Sequence, residues 1–457
     1  MKIKIFILIL FLLPFFIISL FNQPAIDDFW SANIIHDHCR MGAVSYFYQT
    51  VSARFFSNFL MSFCNTLPNG KIWIFKVWPI IIIILLAASF NFLYISLFEQ
   101  MATTKELLLA SIFFVVIYIA NMRTLFETLY WMSSTICYQV AICLFAVGFG
   151  SLIRCLKAPS FLYGFAAVSC SLLLPGSAEI IVPVFIILLL VILFISVKQK
   201  HPLQLTITCI TAAVCSLAFV ALSKGNNLRV EKDAAVYDQN ILYALFYSAR
   251  AVGYYGLVWL VTPINIASLM LLLPALQKLS VKMNFPMSLY YNPVVLIPLF
   301  YFICIIIYLP LTYFESAVPF PRVTAVVFFI AAHLAFITMI LLLNNNSGFN
   351  RFVSYLLSIK NFRLYAWILF FLTAFTSRNF LAVVKDLFSG NAYNYNIEAT
   401  NRYQILRNAK SDTCYVPLYV HWPYFIQSSK KETDNSNSFI HMDKYFGKTI
   451  LYEKSKK

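Results

Sequence analysis

Long apolar stretches, separated by short polar segments, run along most of the chain. Ile74–Leu97, Ile180–Val197 and Val323–Leu343 carry few or no charged residues. Each is long enough to cross the roughly 30 Å of hydrocarbon in a bilayer as an α-helix. Backbone groups at that depth cannot bond to water, so they must bond within the helix. The pattern therefore predicts an all-α polytopic membrane protein.

The same pattern predicts about eleven membrane-spanning helices. They cover residues 2–21, 72–98, 106–120, 136–156, 159–175, 179–197, 203–222, 251–276, 294–313, 323–343 and 363–383. The first span begins with Lys2 and Lys4, like a signal peptide, but no small-residue cleavage motif precedes Asn22. We therefore expect an uncleaved first helix.

Two regions follow from the change in composition along the chain. Residues 1–384 form a predicted transmembrane domain, and residues 22–71 form its first outer loop. His38–Phe63 in this loop is predicted as one amphipathic helix in the membrane interface. Residues 385–457 are polar and are expected to form a small extracytoplasmic α/β appendage, too short to bury a large core alone.

Composition and charge narrow the class of protein further. The chain is 61% hydrophobic and 11% charged, whereas soluble domains carry about a quarter charged residues. Its formal net charge of +16 is divided between short loops and the polar tail. Because no single basic domain is present in the sequence, we expect membrane lipid as a partner and no nucleic acid.

Basic residues also predict the orientation of the chain. One set of connections, with the N-terminus, carries Lys2, Lys4, Lys105, Arg154, Lys157, Lys198, Lys200, Lys278, Lys282, Arg351, Lys360 and Arg363. The positive-inside rule assigns this set to the cytoplasm. We therefore expect a multi-pass protein of the cell inner (cytoplasmic) membrane, with a cytoplasmic N-terminus and an extracytoplasmic C-terminus. Of the 18 acidic residues, only Glu99 and Glu106 fall on the cytoplasmic side, which favours a site at the outer face over the general polarity of loops.

Two adjacent carboxylates follow the first span. Asp27 and Asp28 stand among apolar and aromatic residues in the segment Pro24–Trp30. Mutual repulsion and lost solvation tend to raise at least one pKa, which suits a general base. The same oxygens could instead hold a divalent cation such as Mg²⁺ or Mn²⁺, or Asp28 could cap a helix. No other cofactor is predicted.

Later outer connections supply aromatic and acidic candidates for substrate binding. Glu127 is either the partner of Arg123, four residues earlier, or a ligand for substrate. Tyr130 and Trp131 are either membrane-interface residues or flat rings that pack on a sugar, and Tyr138 in the same segment is a further candidate for substrate binding. Glu179 begins an apolar span, where a carboxylate without a partner is costly.

Cations form a second group of candidate residues. Arg54 interrupts the apolar face of the amphipathic helix, and Arg322 opens a late span. Both could be snorkelling anchors or phosphate contacts. The segment containing Lys224, Asn226 and Arg229 is predicted as a tight turn whose free N–H groups and positive charge could bind an anion.

Together these segments resemble the GT-C superfamily of membrane glycosyltransferases, and within it a bacterial family of multi-pass proteins. The resemblance is carried, in chain order, by Asp27-Asp28, Tyr46 with Arg54–Asn58, Glu127 with Tyr130-Trp131 and Tyr138, Gly176 with Glu179, Gly225-Asn226 with Arg229, Pro321-Arg322 and Ile440–Gly447. The acid pair is general to the superfamily, whereas the other segments point to the narrower family.

This resemblance implies a reaction and roles for several residues. The donor would be a polyprenyl-phosphate sugar, the acceptor an envelope glycan or lipid, and transfer would occur on the outer face with inversion. Asp28 or Asp27 would be the catalytic base. The departing phosphate gains negative charge, which Arg229, Lys224 and Arg322 would stabilise.

Three alternatives remain open at the level of sequence. A transporter or flippase for lipid-linked glycans needs ionisable groups near the membrane midplane. An O-antigen polymerase or ligase also works on the outer side with polyprenyl carriers, but usually relies on large later loops with Arg and His. The third alternative is an inactive structural subunit.

Overall fold

The computed structural model describes residues 2–200, 202–236, 240–282, 293–315, 320–426 and 438–453. Helices make up most of this part of the chain. They are α1 (Lys2–Ser19), α2 (Asp27–Thr50), α3 (Phe55–Cys64), α4 (Trp73–Phe98), α5 (Thr104–Asn121), α6 (Met132–Lys157), α7 (Phe161–Leu173), α8 (Val182–Gln199), α9 (Gln204–Ala221), α10 (Lys224–Val236), α11 (Ile241–Val261), α12 (Pro263–Lys282), α13 (Pro293–Glu315), α14 (Pro321–Asn345), α15 (Ser347–Ser358), α16 (Phe362–Phe375), α17 (Arg378–Phe388), α18 (Asn391–Asn408) and α19 (Ser438–Phe446). Two strands, β1 (Thr413–Pro417) and β2 (Thr449–Glu453), form a parallel pair in which Thr413 lies opposite Thr449.

Several helices have the length and composition of membrane spans. Within the described ranges, eight qualify, namely Trp73–Phe98, Thr104–Asn121, Met132–Lys157, Glu179–Gln199, Gln204–Ala221, Pro263–Val281, Ile297–Phe314 and Pro321–Asn345. A ninth is possible if α15 and α16, which meet at an 87° bend, count as one span. The all-α polytopic membrane fold is therefore confirmed, while the predicted number of about eleven spans is not.

Two predicted spans are broken by the backbone. Residues 251–276 form parts of two helices, because α11 ends at Val261 and α12 begins at Pro263. The residue before a proline is pushed out of the helical region, and Thr262 is indeed extended (φ −64°, ψ 123°). The predicted span over residues 363–383 likewise divides into α16 and α17.

The predicted single helix over His38–Phe63 is also wrong. Helix α2 ends at Thr50, and α3 starts only at Phe55. The backbone N–H groups of Phe56 and Ser57 bond to the Gly176 carbonyl (2.9 and 3.1 Å). The first N–H groups of α3 thus bond to a carbonyl in the turn before Glu179. In one continuous helix they would bond to carbonyls of the preceding turn.

Helix α6 defines two ends of the membrane bundle. Near its start, Ser133 bonds to Asp28, and near its end Arg154 pairs with Glu99 at 3.0 Å. At 1.5 Å per residue, Ser133 and Arg154 lie about 30 Å apart along the helix. We refer to these as the Ser133 end and the Arg154 end. This division agrees with the two sets of connections separated by charge.

The C-terminal part of the chain packs onto the Ser133 end. The Asn396 side-chain oxygen on α18 accepts hydrogen bonds from Gln23 (2.8 Å) and Lys76 (2.7 Å). The same helix buries Tyr395, Ala399, Tyr403 and Leu406 at helical spacing. Because the predicted boundary at residue 384 falls within α17, the two regions are continuous there, and a separate α/β appendage stays a prediction.

Candidate functional site

Asp28 is the most completely enclosed carboxylate of the first loop. It is 1% exposed. One oxygen accepts hydrogen bonds from the Ser133 hydroxyl (2.5 Å) and backbone N–H (3.3 Å), and the other accepts from the Ala25 N–H (2.9 Å). Ser133 belongs to the first turn of α6, so Asp28 ties the first loop to the start of that helix. The expectation that Asp28 caps its own helix is wrong, because α2 already begins at Asp27.

Burial controls the protonation of Asp28. Loss of solvation raises its pKa to about 7, although the hydrogen bonds from Ser133 and Ala25 favour the charged form. The neighbouring charge of Asp27 raises it further. At 1% exposure, this carboxyl group is closed to an incoming substrate hydroxyl.

Asp27 has a different environment from its neighbour. It is partly exposed, whereas Asp28 is closed off. Burial raises the pKa of Asp27, and the positive charge of Arg322 opposes that rise. Asp27 therefore combines access with a raised proton affinity, which are the two properties that a general base requires.

Next to Asp27, five side chains form a row in which one Arg–Glu pair lies on each side of a tyrosine. Arg54 makes two parallel bonds to Glu179, each of 2.7 Å. The Arg54 guanidinium lies 5.5 Å from the centre of the Tyr138 ring, and the Arg322 guanidinium lies 5.7 Å from the same centre. Arg322 in turn contacts Glu127 at 3.6 Å. The order is thus Glu179, Arg54, Tyr138, Arg322 and Glu127, which we call the charged row.

An irregular turn presents Glu127 to the charged row. Phe126–Tyr130 forms a single π-helical turn between α5 and α6. Such turns are rare and are often found at functional sites. Burial raises the pKa of Glu127, and Arg322 opposes the rise. The alternative pairing of Glu127 with Arg123 is not formed, because Arg123 donates to the Tyr255 hydroxyl at 3.0 Å.

Trp131 is covered by protein side chains. Phe126 stacks on the indole at 5.6 Å between ring centres, and the Arg322 guanidinium lies 5.5 Å from it. These contacts leave the ring little surface for stacking on a sugar. Its indole N–H is buried and has no hydrogen-bond partner among the described residues.

Three buried polar atoms in this region have no hydrogen-bond partner among the described residues. They are Oε2 of Glu127, Nε1 of Trp131 and Nε of Arg322. More than nine in ten buried polar groups in proteins are hydrogen-bonded, so three exceptions on contacting side chains are unusual. Two donors and one acceptor together match a ligand that carries hydroxyl or phosphate oxygens.

The predicted anion-binding turn has a different structure. Lys224 begins α10, and the Ser223 hydroxyl accepts the Asn226 N–H at 3.2 Å. The Asn226 amide donates to the Val220 carbonyl (3.2 Å), and a Cβ on Gly225 would lie 2.5 Å from the Tyr48 carbonyl oxygen. The predicted tight turn is therefore the start of a packed helix, and the N–H groups of Asn226 and Asn227 are already bonded to Ser223.

Arg229 and Lys224 on α10 differ in whether they interact with the charged row. Arg229 acts electrostatically on Glu179, so it belongs to the surroundings of the row. Lys224 is exposed at the start of the helix. The sequence-based candidates Asp27, Arg54, Glu127, Trp131, Tyr138, Glu179 and Arg322 are thus joined through contacts or charge, with Arg229 beside them.

Ser133 is the residue of the candidate site that sequence reasoning missed. It stands in the motif between Trp131 and Tyr138, but a serine at a helix start is common. Only the folded chain shows that its hydroxyl and N–H hold Asp28, which lies 105 positions earlier. No signal in the sequence connects these two residues.

Few side chains near Asp27 and Asp28 could serve as ligands for a divalent cation. Among the described residues, no group of three or more His, Cys, Asp or Glu side chains could hold a metal ion. Both oxygens of Asp28 already accept hydrogen bonds. The alternative in which Asp27 and Asp28 hold Mg²⁺ or Mn²⁺ therefore stays a prediction, since two carboxylates with water and a substrate phosphate can also bind such an ion.

A separate cavity of about 500 Å³ lies among residues 382–391 and 421–424. Several of its polar side chains already have hydrogen-bond partners. Asp386 accepts from the Tyr424 N–H (2.6 Å) and the Asn391 amide (2.9 Å), and His421 contacts Glu398 at 2.6 Å. This lining lacks the unpartnered atoms of the charged row, which makes the row the stronger candidate site.

The fold and the site together define a class of protein: a polytopic helical membrane protein with a buried polar site at one end of its bundle. Comparisons with protein-family models, curated proteins and solved structures found no significant match. The interpretation of the site therefore rests on its own geometry.

Proposed function

We propose that this protein is a GT-C type glycosyltransferase that moves a sugar from a polyprenyl-phosphate donor to an envelope glycan or lipid acceptor. Transfer would occur on the extracytoplasmic face of the membrane. The observation that carries the proposal is the convergence of Asp27, the charged row and Trp131 at the Ser133 end. A base, buried cations and unpartnered polar atoms are the groups that such a transfer requires.

Asp27 is the proposed catalytic base. Its carboxylate takes the proton of the acceptor hydroxyl while that oxygen forms a bond to the anomeric carbon. The bond from this carbon to the phosphate oxygen breaks, and the lipid phosphate leaves with the electron pair. Asp28 is a positioning residue in this scheme, because its bonds to Ser133 hold the loop that carries Asp27.

Arg322 is the proposed stabiliser of the leaving phosphate. Its Nε is buried without a hydrogen-bond partner among the described residues, and its charge already acts on Asp27. A fixed guanidinium near the breaking bond stabilises developing negative charge without reorganisation. Arg54 is held by Glu179 and would support the phosphate from further away, together with Arg229.

Glu127 and Trp131 are the proposed contacts to the donor sugar. Oε2 of Glu127 has no hydrogen bond among the described residues, although it lies 3.6 Å from a guanidinium nitrogen of Arg322, and it can accept from a sugar hydroxyl. The Trp131 N–H can donate to one. This differs from ring stacking, because Phe126 and Arg322 cover the indole.

The transporter alternative finds less support. His333 lies within the α14 span, where an ionisable residue is a functional candidate. Its two ring nitrogens contact the Phe329 carbonyl (2.7 Å) and the Tyr94 hydroxyl (3.2 Å), and the Phe90, Phe114 and Phe329 rings surround it. Such an enclosed histidine does not line a path through the bundle.

The decisive experiment compares the mass of the cell-envelope glycan in cells with and without the protein. A transferase adds one sugar, so a difference of one hexose, deoxyhexose or pentose is expected, whereas a polymerase or ligase would change whole glycan units. Asp27→Asn should lower transfer by at least about a hundredfold, the effect of removing a general base.

Asp37→Asn is the matched control, since Asp37 also lies on α2 but pairs at the surface with Lys444 (2.7 Å). It should leave transfer unchanged. Unchanged transfer in the Asp27→Asn/Asp28→Asn double variant, at normal membrane levels, would remove the catalytic assignment.

A further inference from the structure

We propose that the Arg154 end carries a binding surface for anionic phospholipid headgroups, formed by α15 and the cations around it. This surface lies at the opposite end of the bundle from the charged row. The proposal is independent of glycosyl transfer and holds whether or not that function is correct.

Helix α15 connects the α14 span to α16. It has 12 residues, so it is about 18 Å long and too short to cross the hydrocarbon. It starts two residues after the α14 span ends at Asn345, and the chain then turns by 87° into α16. This geometry is that of a helix lying parallel to the membrane surface.

Specific contacts hold α15 in this orientation. Val353 is buried in a small core with Leu276, Leu343 and Phe362. The Gln277 amide on α12 donates to the Asn350 side chain (2.8 Å) and to the Ser354 hydroxyl (2.7 Å). The helix is thus bound on one side to the ends of three others.

The other side of α15 presents large apolar residues. Phe352 is 56% exposed, Tyr355 68% and the following Ile359 43%. Their spacing of three and four places them on one face of a helix. An amphipathic helix with aromatic residues on its free face typically lies at the headgroup–acyl boundary.

Positive charge surrounds this face. Arg351, Lys360 and Arg363 are exposed in or beside α15, and Lys105 and Lys278 are exposed on the neighbouring helix ends. Among the described residues of this end, Glu99 is paired with Arg154, and Glu106 forms a capping box with Thr103. The free cations therefore outnumber the free carboxylates, and anionic phosphate groups are the complementary partner.

The expected strength of lipid binding follows from the number of cations on this surface. Each Lys or Arg near an anionic membrane surface strengthens binding about fivefold. Several together produce a clear preference for anionic over zwitterionic lipid. Phospholipids are the committed ligand because the same face combines these charges with exposed apolar side chains, which free phosphate would not require.

The test measures lipid retention by the full-length protein. Protein released from bilayers of equal phosphatidylglycerol and phosphatidylcholine is analysed by native mass spectrometry, and phosphatidylglycerol should be retained in preference. Replacing Arg351, Lys360 and Arg363 by Gln should reduce this preference at least about tenfold. The matched control replaces Lys71, Lys410 and Lys448, which lie in the first loop and the C-terminal region, and should keep it.

Retained preference in the Arg351/Lys360/Arg363 variant, or equal loss in the control, would overturn the proposal. A second measurement leaves every charge in place. A photo-crosslinking amino acid at Phe352 should form phosphatidylglycerol adducts, whereas the same group at the exposed Tyr415 on β1 should not. No lipid adduct at position 352 would also overturn the proposal.

Discussion

The two ends of the helical bundle differ in how far their charged side chains are buried. At the Ser133 end, the Arg54 and Glu179 side chains are only 14% and 27% exposed and make two parallel hydrogen bonds. At the Arg154 end, the cations around α15 are exposed, and Glu99, the partner of Arg154, is 40% exposed.

This difference fits the two ligands proposed above. Buried charges are expensive unless paired, so the Ser133 end needs a carboxylate for each guanidinium of the charged row. Such an arrangement holds a few atoms in fixed positions, which favours one small polar substrate. Exposed cations need no fixed partner, and they favour a diffuse anionic surface such as lipid headgroups.

The largest expected effect comes from breaking the buried pair. Arg54→Ala leaves the Glu179 carboxylate without its partner, and we expect a loss of about 3–5 kcal/mol in the free energy of unfolding. The measurement is equilibrium unfolding in mixed micelles with increasing denaturing detergent. The double variant Arg54→Met/Glu179→Leu should lose less free energy of unfolding than either single variant. An equal or greater loss in the double variant would argue against a buried pair.

The pH dependence of stability sharpens the role of Asp28. Its pKa is raised to about 7 when folded, so the folded protein holds this proton to higher pH than the unfolded chain does. The free energy of unfolding should therefore fall by a few kcal/mol between about pH 4 and pH 7 and level off above. Thermal unfolding of the purified protein across this range measures the decline.

Asp28→Asn should remove most of that decline. Asp37→Asn is the opposite case, because a hydrogen bond from Lys444 lowers the pKa of Asp37 when folded. Its contribution to stability is present above the unfolded pKa and is lost only under more acidic conditions. A decline that persists in Asp28→Asn would mean that another group causes it.

Replacing Trp131 should have a smaller effect on stability and on donor binding. Trp131→Phe removes an N–H that is buried without a partner among the described residues, so stability should stay equal or rise by about 1 kcal/mol. The loss of one hydrogen bond to the donor should raise its KM up to about tenfold. Kinetics with varied donor and constant acceptor measure this change, and a fall in stability with unchanged KM would contradict the assignment.

The smallest effect is expected at the Arg154 end. Glu99→Gln removes a single contact of 3.0 Å in a partly exposed pair, and such pairs contribute about 0–1 kcal/mol. The same unfolding experiment as for Arg54 applies. A loss as large as that of Arg54→Ala would show that the two ends do not differ in the way proposed here.

Sequence alone determined the class of fold and much of the membership of the site. Apolar runs long enough to cross a bilayer specify helices, because backbone groups in hydrocarbon must bond within their own segment. Even the break at Thr262 had a local signal in Pro263. Asp27, Glu127, Glu179 and Arg322 were selected as polar residues at the ends of apolar segments.

Only the tertiary structure decided which of these residues meet. Glu179 pairs with Arg54, 125 positions away, and Asp28 bonds to Ser133, 105 positions away. The same packing covered the Trp131 ring and gave the two adjacent aspartates different environments. The physical reason is the distance along the chain over which each interaction works. The length of an apolar run and the signals that start or end a helix depend on neighbouring residues, whereas pairing and burial depend on how helices distant in sequence pack.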